Sequence, residues 1–312
     1  MKRTLSLVLV AVLALLPACM KLSVGNTVNA DGSGDMEMSF GYKLDTIEML
    51  KGMVEGQMGE EGGGDGEDPF AKMDEIFDEK KIKESMTKAG MNDVTTKIEE
   101  KDGWKTMTVK GKIKSYDEMM KKASESEDVK KAKAEDPEAG AMIDKLMGGS
   151  FGFFKTDKED VVKMSLIPPI GDLLPGGEEN PLEKLDEMDE DQRAMIEQQM
   201  EQMRAMFALD QMKVEMRVRL PGEIIDAQGV KKDEKEANVA TWTLKGADVG
   251  LDSVKTMFGM KNGLWVKFKK PANFGITLKE EKKAESKPAG GTTPKSPEKK
   301  TGEEEKKKKE DG

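Results

Sequence analysis

A continuous apolar run near the start of the chain constrains this protein more than any other feature of its sequence. Lys2 and Arg3 precede the run, which extends from Leu5 to Leu16 and is almost uninterrupted. A short positive segment followed by such a run is the pattern of a secretory signal, and the run is too short to cross a bilayer as a helix. We therefore expect residues 1–18 to be a signal peptide that the mature protein lacks.

The only cysteine of the chain, Cys19, follows this run directly. Leu16-Pro17-Ala18-Cys19 resembles the lipobox of bacterial lipoproteins, in which the cysteine is lipidated and becomes the new N-terminus. The resemblance implies a Cys19 that carries diacylglycerol and a fatty acid such as palmitate. Each buried acyl CH₂ contributes about 0.8 kcal/mol, so several chains would hold the body on a membrane durably. The alternative is an ordinary signal peptide with a chance cysteine.

The remaining sequence predicts a protein that is anchored to a membrane and does not span it. No second apolar run of membrane-spanning length follows Cys19. Met20 occupies the position after Cys19, where an Asp would resemble an inner-membrane retention signal. We therefore expect the bacterial cell envelope, and its outer membrane if the source has one.

Charge and composition exclude several classes of function. The formal charge is −10, and removal of Lys2 and Arg3 with the signal peptide makes it −12 (−10 minus 2), which disfavours a nucleic-acid partner. The chain contains no histidine, so it lacks the most frequent general base and metal ligand. With Cys19 committed to lipid, no thiolate nucleophile or cysteine zinc site is available. We predict no catalytic residue, no metal site and no cofactor, and no protein partner can be named.

Alternation of apolar and polar residues, interrupted by turn residues, predicts a sheet built from hairpins. The predicted pairs are residues 20–28 with 36–42, 94–98 with 104–114, 151–154 with 161–167, and 213–220 with 239–244, with final strands at 263–268 and 274–278. Helical patterns occupy insertions at 44–90, 117–148 and 181–210. We predict one α+β domain over residues 19–278, with an antiparallel sheet covered on one face by amphipathic helices.

The C-terminal residues 279–312 have the composition of a disordered tail. They contain no large apolar residue, and Lys, Glu, Pro, Gly and Ser dominate. Such a segment cannot bury enough apolar surface to offset the entropy lost on ordering.

Three groups of residues raise the question of chemistry beyond anchoring. Asp31, Ser33 and Asp35 have the spacing of a calcium loop, but the Gly and the distal Glu of that motif are missing, so a turn is the better interpretation. A helical stripe contains Met195, Met200, Met203 and Met206 and is interpreted as a core face; a Cu(I) site at the last three is the alternative. The 61 acidic residues also permit a carboxylate-based envelope hydrolase, which would require two convergent acids in a cleft, one with a raised pKa.

Two passages of the chain resemble the LppM-like domain of bacterial envelope lipoproteins. The first is Cys19 followed by Met20-Lys21-Leu22-Ser23 and then by the segment Val28-Asn29-Ala30-Asp31-Gly32-Ser33-Gly34. The second is Arg217-Val218-Arg219-Leu220-Pro221-Gly222-Glu223-Ile224-Ile225, followed downstream by Ala240-Thr241-Trp242-Thr243-Leu244. The resemblance implies an envelope domain built on antiparallel strands and is compatible with a cavity for a lipid or glycolipid. It transfers no catalytic residue.

Together these observations predict a membrane-anchored envelope lipoprotein with a non-enzymatic binding or structural role. A lipid or glycolipid is the most specific ligand that the sequence suggests. The carboxylate hydrolase and the methionine-rich soft-metal binder remain as alternatives.

Overall fold

The computed structural model describes residues 20–58, 77–135, 152–167, 189–207, 209–248 and 263–280. Within these ranges the strands form two sheets. Sheet A contains β1 (Met20–Val28), β2 (Gly34–Lys43), β3 (Met91–Lys101), β4 (Trp104–Ile113), β7 (Lys213–Arg219), β9 (Lys231–Lys232) and β10 (Val239–Lys245). Sheet B contains β5 (Gly152–Lys155), β6 (Val161–Ile167), β8 (Ile224–Gln228) and β11 (Leu264–Lys269). The helices are α1 (Leu44–Met58), α2 (Glu79–Lys88), α3 (Tyr116–Ser124), α4 (Glu127–Glu135) and α5 (Glu190–Phe207).

Short turns that contain Asp and Gly join two of the predicted hairpins. Between β3 and β4, Asp102 and Gly103 both have positive φ angles, 53° and 74°, as a two-residue hairpin turn requires. Between β1 and β2, the Asp31 carboxylate accepts hydrogen bonds from the amide and the hydroxyl of Ser33 at 3.0 and 2.7 Å. The Asp31 to Ser33 segment is therefore a side-chain-stabilised turn, as its sequence predicts.

Sheet A has the strand order β3-β4-β2-β1-β7-β10-β9 and is antiparallel except at its centre. There β1 pairs in parallel with β7, from Lys21 with Lys213 to Thr27 with Arg219. A parallel pair needs a long crossover connection, which the chain supplies between residues 28 and 213. The predicted α+β class with mainly antiparallel hairpins is confirmed, and the structure adds this parallel pair and the second sheet.

Sheet B has the order β5-β6-β11-β8, and its strand β8 is not among the strands that the sequence predicts. After β7, Pro221 and Gly222 turn the chain so that β8 pairs with β11. The prediction of a strand at residues 274–278 is wrong, because this segment bonds to separate parts of the fold. Gly275 donates its amide hydrogen to the Ala30 carbonyl, and Thr277 donates its amide and hydroxyl hydrogens to Asp117.

One face of sheet A joins sheet B in a common apolar core. Buried side chains of both sheets contribute to it, with exposed fractions of 2% or less for Val28, Val109, Ile113, Val218, Val162, Val266 and Phe268. Aromatic rings connect the layers: the Phe153 ring lies 6.1 Å from that of Tyr116 and 6.5 Å from that of Phe268. Burying each large apolar side chain contributes about 1.5–3 kcal/mol, so this core is the main source of stability.

Helices α2 and α3 begin at conventional caps and lie against the apolar face of sheet A. The Asp78 carboxylate accepts hydrogen bonds from the amides of Lys80 and Lys81, and Ser115 caps α3 in the same way. Just before α2, the Phe77 ring packs on Tyr42 at 5.0 Å. These contacts agree with the prediction that helices cover one face of the sheet.

Helix α5 begins at a reciprocal capping interaction between Asp189 and Gln192, whose side chains each bond the other's amide. Residues 181–188, where the predicted helical insertion at 181–210 begins, lie outside the described residues. Met195, which the predicted core stripe includes, is 56% exposed, so this part of the helix does not present a core face.

The described chain continues to Glu280, and all of it falls in one compact unit that ends at Glu281. Lys279 forms a bridge to Phe154, and Lys155 forms an ion pair with Glu280 at 2.5 Å. The predicted signal peptide and most of the predicted tail lie outside the described residues. No helix among the described residues is long and apolar enough to cross a membrane.

Candidate functional site

The polar face of sheet A carries rows of side chains that cross neighbouring strands. Directly paired residues share a face, so the strand register defines each row. In the two rows farthest from Met20, charged side chains of opposite sign lie next to each other on neighbouring strands. One row contains Lys112, Asp35, Thr27 and Arg219, and the next contains Lys110, Glu37, Gly25 and Arg217.

A groove of about 420 Å³ crosses these two rows, and we call it the sheet A groove. Its size lies within the range of small-molecule binding sites. It is lined by Gly25, Asn26, Thr27, Asp35, Met36, Glu37, Asp93, Lys110, Gly111, Lys112, Arg217 and Arg219. Most of these residues are charged or small, so this groove is not the apolar cavity with which the family resemblance is compatible.

Two arginines of β7 form one wall of the groove and share a single carboxylate. Arg217 bonds one oxygen of Glu236 at 3.0 Å, and Arg219 bonds the other oxygen. Glu236 is itself held by its amide, which donates a hydrogen bond to Asp233 at 3.1 Å. Backbone hydrogen bonds from Lys235 and Glu236 lower the pKa of Asp233, so this carboxyl stays ionised. The loop before β10 thus fixes both guanidinium groups.

The opposite wall of the groove consists of lysines paired with acids. Lys110 lies 3.0 Å from Glu37, and Lys112 lies 3.5 Å from Asp93. Asp93 reaches this position because β3 has a bulge between Asn92 and Thr95, where Asp93 adopts a φ of 52°. Bulges redirect side chains in this way, and Asp tolerates a positive φ better than most residues.

Gly25 forms the floor between the two walls. A Cβ atom at this position would lie 3.8 Å from the Glu37 carbonyl oxygen and 3.9 Å from the Glu37 Cβ, which are ordinary contact distances. The strand therefore has room for a larger residue at this position, and the absence of a side chain leaves the groove open.

A buried tyrosine supports the groove from the apolar side of the sheet. The Tyr116 hydroxyl donates a short hydrogen bond to the Asn26 side chain and lies 3.2 Å from the Thr27 carbonyl oxygen. Burial raises the pKa of the Tyr116 phenol, an effect that the Asn26 hydrogen bond opposes and nearby Asp35 reinforces. Tyr116 therefore stays neutral and acts as a donor that fixes β1 beneath the groove.

Among the described residues, the carboxyl groups whose pKa values are displaced do not fit an acid catalyst. Hydrogen bonds from Ser33 lower the pKa of Asp31, and a hydrogen bond from Lys269 lowers the pKa of Glu223. Together with Asp233, these are exposed groups on three different loops. A glycosidase acid requires a raised pKa, so these groups give the hydrolase alternative no support.

The structure places the other predicted sites as follows. In the described ranges, no group of three or more His, Cys, Asp or Glu side chains could hold a metal ion. The side chains of Met200, Met203 and Met206 lie outside the described set, so the copper alternative stays a prediction. Cys19 also lies outside it, but Met20, its neighbour in sequence, is the first residue of β1.

The sequence interpretation missed the groove, although one signal for it was present. Along β7, charged residues occupy alternate positions at Lys213, Glu215, Arg217 and Arg219, which places them all on one face. This spacing indicates a charged sheet face as clearly as the intervening apolar residues indicate the core. The alternation within β7 does not indicate that residues of β1 and β4 also line the groove.

No protein-family model matches the chain, and no curated protein matches it either. Among solved structures, the chain is similar to the folded domain of Mycobacterium tuberculosis LppM, determined by NMR. The sequence identity is 10%, the alignment covers 83% of this chain and 94% of that chain, and the TM-score is 0.32.

Proposed function

We propose that this chain is a lipid-anchored protein of the bacterial envelope with a non-enzymatic binding role. We further propose that the sheet A groove binds the polar headgroup of a glycolipid. The observation that carries the proposal is the groove itself, a set of fixed charges built on the strand that follows the lipidation site of Cys19 directly.

The chemistry of the groove favours a polar ligand with many hydroxyl groups. Four cationic side chains line it, and the three acids of the lining together with Glu236 balance them (4 − 4 = 0). A site with no net charge gains little from a highly charged ligand. It offers both donors and acceptors, and the hydroxyl groups of a sugar can use both at once.

The position of the groove favours a ligand that is itself attached to the membrane. Gly25 is six residues from Cys19 along the chain, and an extended strand rises by about 3.3 Å per residue, so the groove lies within about 20 Å of the anchor. Because β1 pairs with β2 on one side and β7 on the other, the anchor attaches at the centre of sheet A. A headgroup that projects from the same membrane would meet the groove at this height.

A substitution at Gly25 tests the proposal without disturbing the charged walls. Gly25→Val fills the floor of the groove, while the contact distances of its Cβ and the preference of Val for strands should leave the fold intact. Ser23→Val is the matched control, because Ser23 lies on the same strand and the same face but does not line the groove.

The measurement is native mass spectrometry of the protein extracted from its own membranes in mild detergent. We expect a non-covalent lipid adduct in the wild-type and Ser23→Val proteins and its loss in Gly25→Val. An adduct that persists in folded Gly25→Val would show that the ligand binds elsewhere. If the wild-type protein carries a soluble saccharide and no lipid, the groove remains a binding site, but the proposal that its ligand is a glycolipid is rejected.

A further inference from the structure

Three lysines stand side by side on adjacent strands at the end of sheet A where β1 begins. Lys21 of β1 pairs in register with Lys213 of β7, which pairs in turn with Lys245 of β10. All three side chains are on the polar face and all are exposed. We call this set the lysine row.

The lysine row is unfavourable for the isolated fold. Adjacent strands are about 4.8 Å apart, and like charges directly opposite one another destabilise a sheet. Glu215 neutralises part of the charge, with an oxygen 2.5 Å from the Lys213 Nζ. At the β1 end of the row, the Lys21 Nζ lies 3.7 Å from the centre of the Trp104 ring, an attraction that leaves the lysine charge in place. A concentrated positive charge therefore remains on a chain whose mature net charge is −12.

The lysine row is also next to the proposed anchor. Lys21 is two residues from Cys19, so the two Cα atoms are at most about 7 Å apart. An acylated Cys19 would bring the row to the headgroup layer of the bilayer.

We infer that the lysine row binds anionic phospholipid headgroups of the membrane that holds the anchor. This inference rests on the proposed anchoring at Cys19. Juxtamembrane lysines are attracted by the negative potential of anionic lipids, whereas the rest of this acidic body is repelled by it. The row would therefore fix which end of sheet A faces the membrane and keep the sheet A groove, several residues farther along β1, open to ligand.

The test compares one anchored protein on two kinds of surface. The full mature protein is reconstituted into vesicles of phosphatidylcholine alone or of phosphatidylcholine with phosphatidylglycerol, and its lysines are acylated and quantified by mass spectrometry. We expect labelling of Lys21, Lys213 and Lys245 to fall several-fold on phosphatidylglycerol, and high salt to restore it. Lys110 and Lys112, on the same face at the groove, should label equally in both vesicles.

Two double variants separate charge from proximity. In Lys213→Gln with Lys245→Gln, the protection of Lys21 by phosphatidylglycerol should be lost. In the control, Lys110→Gln with Lys112→Gln, it should persist. Equal protection on both vesicles, or none on either, would overturn the inference. Protection by an added soluble polyanion but not by phosphatidylglycerol would also overturn it, because the partner would then not be a lipid.

The mass of the N-terminal peptide in the same samples shows whether a negative result contradicts the anchoring proposal or only the inference about the lysine row. An acylated Cys19 with unprotected lysines rejects the row alone. If Cys19 is unmodified, the anchoring proposal fails, and co-sedimentation of the protein with phosphatidylglycerol vesicles then tests the row. Binding that the Lys213 and Lys245 substitutions abolish would support the row, and no binding would reject it.

Discussion

At the scale of single residues, one glycine leaves the groove open, a second glycine is required by packing elsewhere in the fold, and one buried phenol holds the strand beneath the groove. Gly25 leaves the groove open, whereas Gly222 is required by packing, since a Cβ there would lie 1.9 Å from the Lys269 carbonyl oxygen. Tyr116 joins the apolar core to β1 through its hydroxyl. Each of these roles predicts a different response to substitution.

Gly222→Ala should destabilise the protein by about 1–3 kcal/mol, because the backbone of β11 must move to accommodate the methyl group. Gly52→Ala is the control, since Gly52 lies in α1 with no atom within 4 Å of its added Cβ. That helix substitution should raise the unfolding free energy by about 0.5–1 kcal/mol. Denaturant unfolding measures both, and equal effects would contradict the close contact at Gly222.

Tyr116→Phe should lower the unfolding free energy at neutral pH by about 1–2 kcal/mol, because the Asn26 side chain loses its buried donor. The raised pKa of Tyr116 also predicts a pH effect. The folded state holds the phenol proton more tightly than the unfolded state, so stability falls as pH rises above about 10, the unfolded pKa. The variant should lack this part of the decline.

Phenolate absorbance tests the same claim directly. The chain has two tyrosines, so in a Tyr42→Phe variant Tyr116 is the only reporter. We expect it to ionise only above the usual pKa of tyrosine, or together with unfolding. Ionisation of the folded protein near pH 10 would contradict the buried hydrogen bond.

At the scale of elements, the hairpins could be predicted from the sequence and the partners of distant strands could not. Alternation and turn residues identify β1 with β2 and β3 with β4, because both depend on neighbours in the chain. Pairing of β1 with β7 joins segments about 190 residues apart, for which local patterns carry no signal. The same limit applies to β8, because its partner strand β11 lies about 40 residues farther along the chain.

The predicted strand at residues 274–278 fails for a related physical reason. Its alternating Phe274, Ile276 and Leu278 do face the interior, but its backbone finds partners in α3 and in the β1 to β2 turn. Alternation of apolar and polar residues indicates which side chains are buried, but it does not indicate which groups form hydrogen bonds with the backbone.

The contact between α3 and this C-terminal segment should depend on Asp117. Asp117→Ala removes the acceptor that bonds the Thr277 amide at 3.0 Å and its hydroxyl at 2.6 Å. We expect a local loss of about 1 kcal/mol, and amide hydrogen exchange of Thr277 roughly fivefold faster. Asp45→Ala, in the first turn of α1, is the control. Unchanged exchange at Thr277 would mean that the segment is held by other contacts.

At the scale of the whole molecule, the account depends on the direct passage from Cys19 into the central strand of sheet A. The proposed anchor, the lysine row and the groove then follow one another along β1, within about 20 Å. The sequence alone predicts the proposed anchor, because lipidation depends on a local motif. It did not predict the groove, because Gly25, Lys110 and Arg217 meet only through strand pairing.

The mass of the N-terminal peptide from membrane-extracted protein tests this central claim most directly. The account predicts that the mature chain begins at Cys19, that this residue carries diacylglycerol and a fatty acid, and that Cys19→Ala abolishes both the modification and the cleavage before residue 19. A mature chain that begins elsewhere, or an unmodified Cys19 in the membrane fraction, would contradict it.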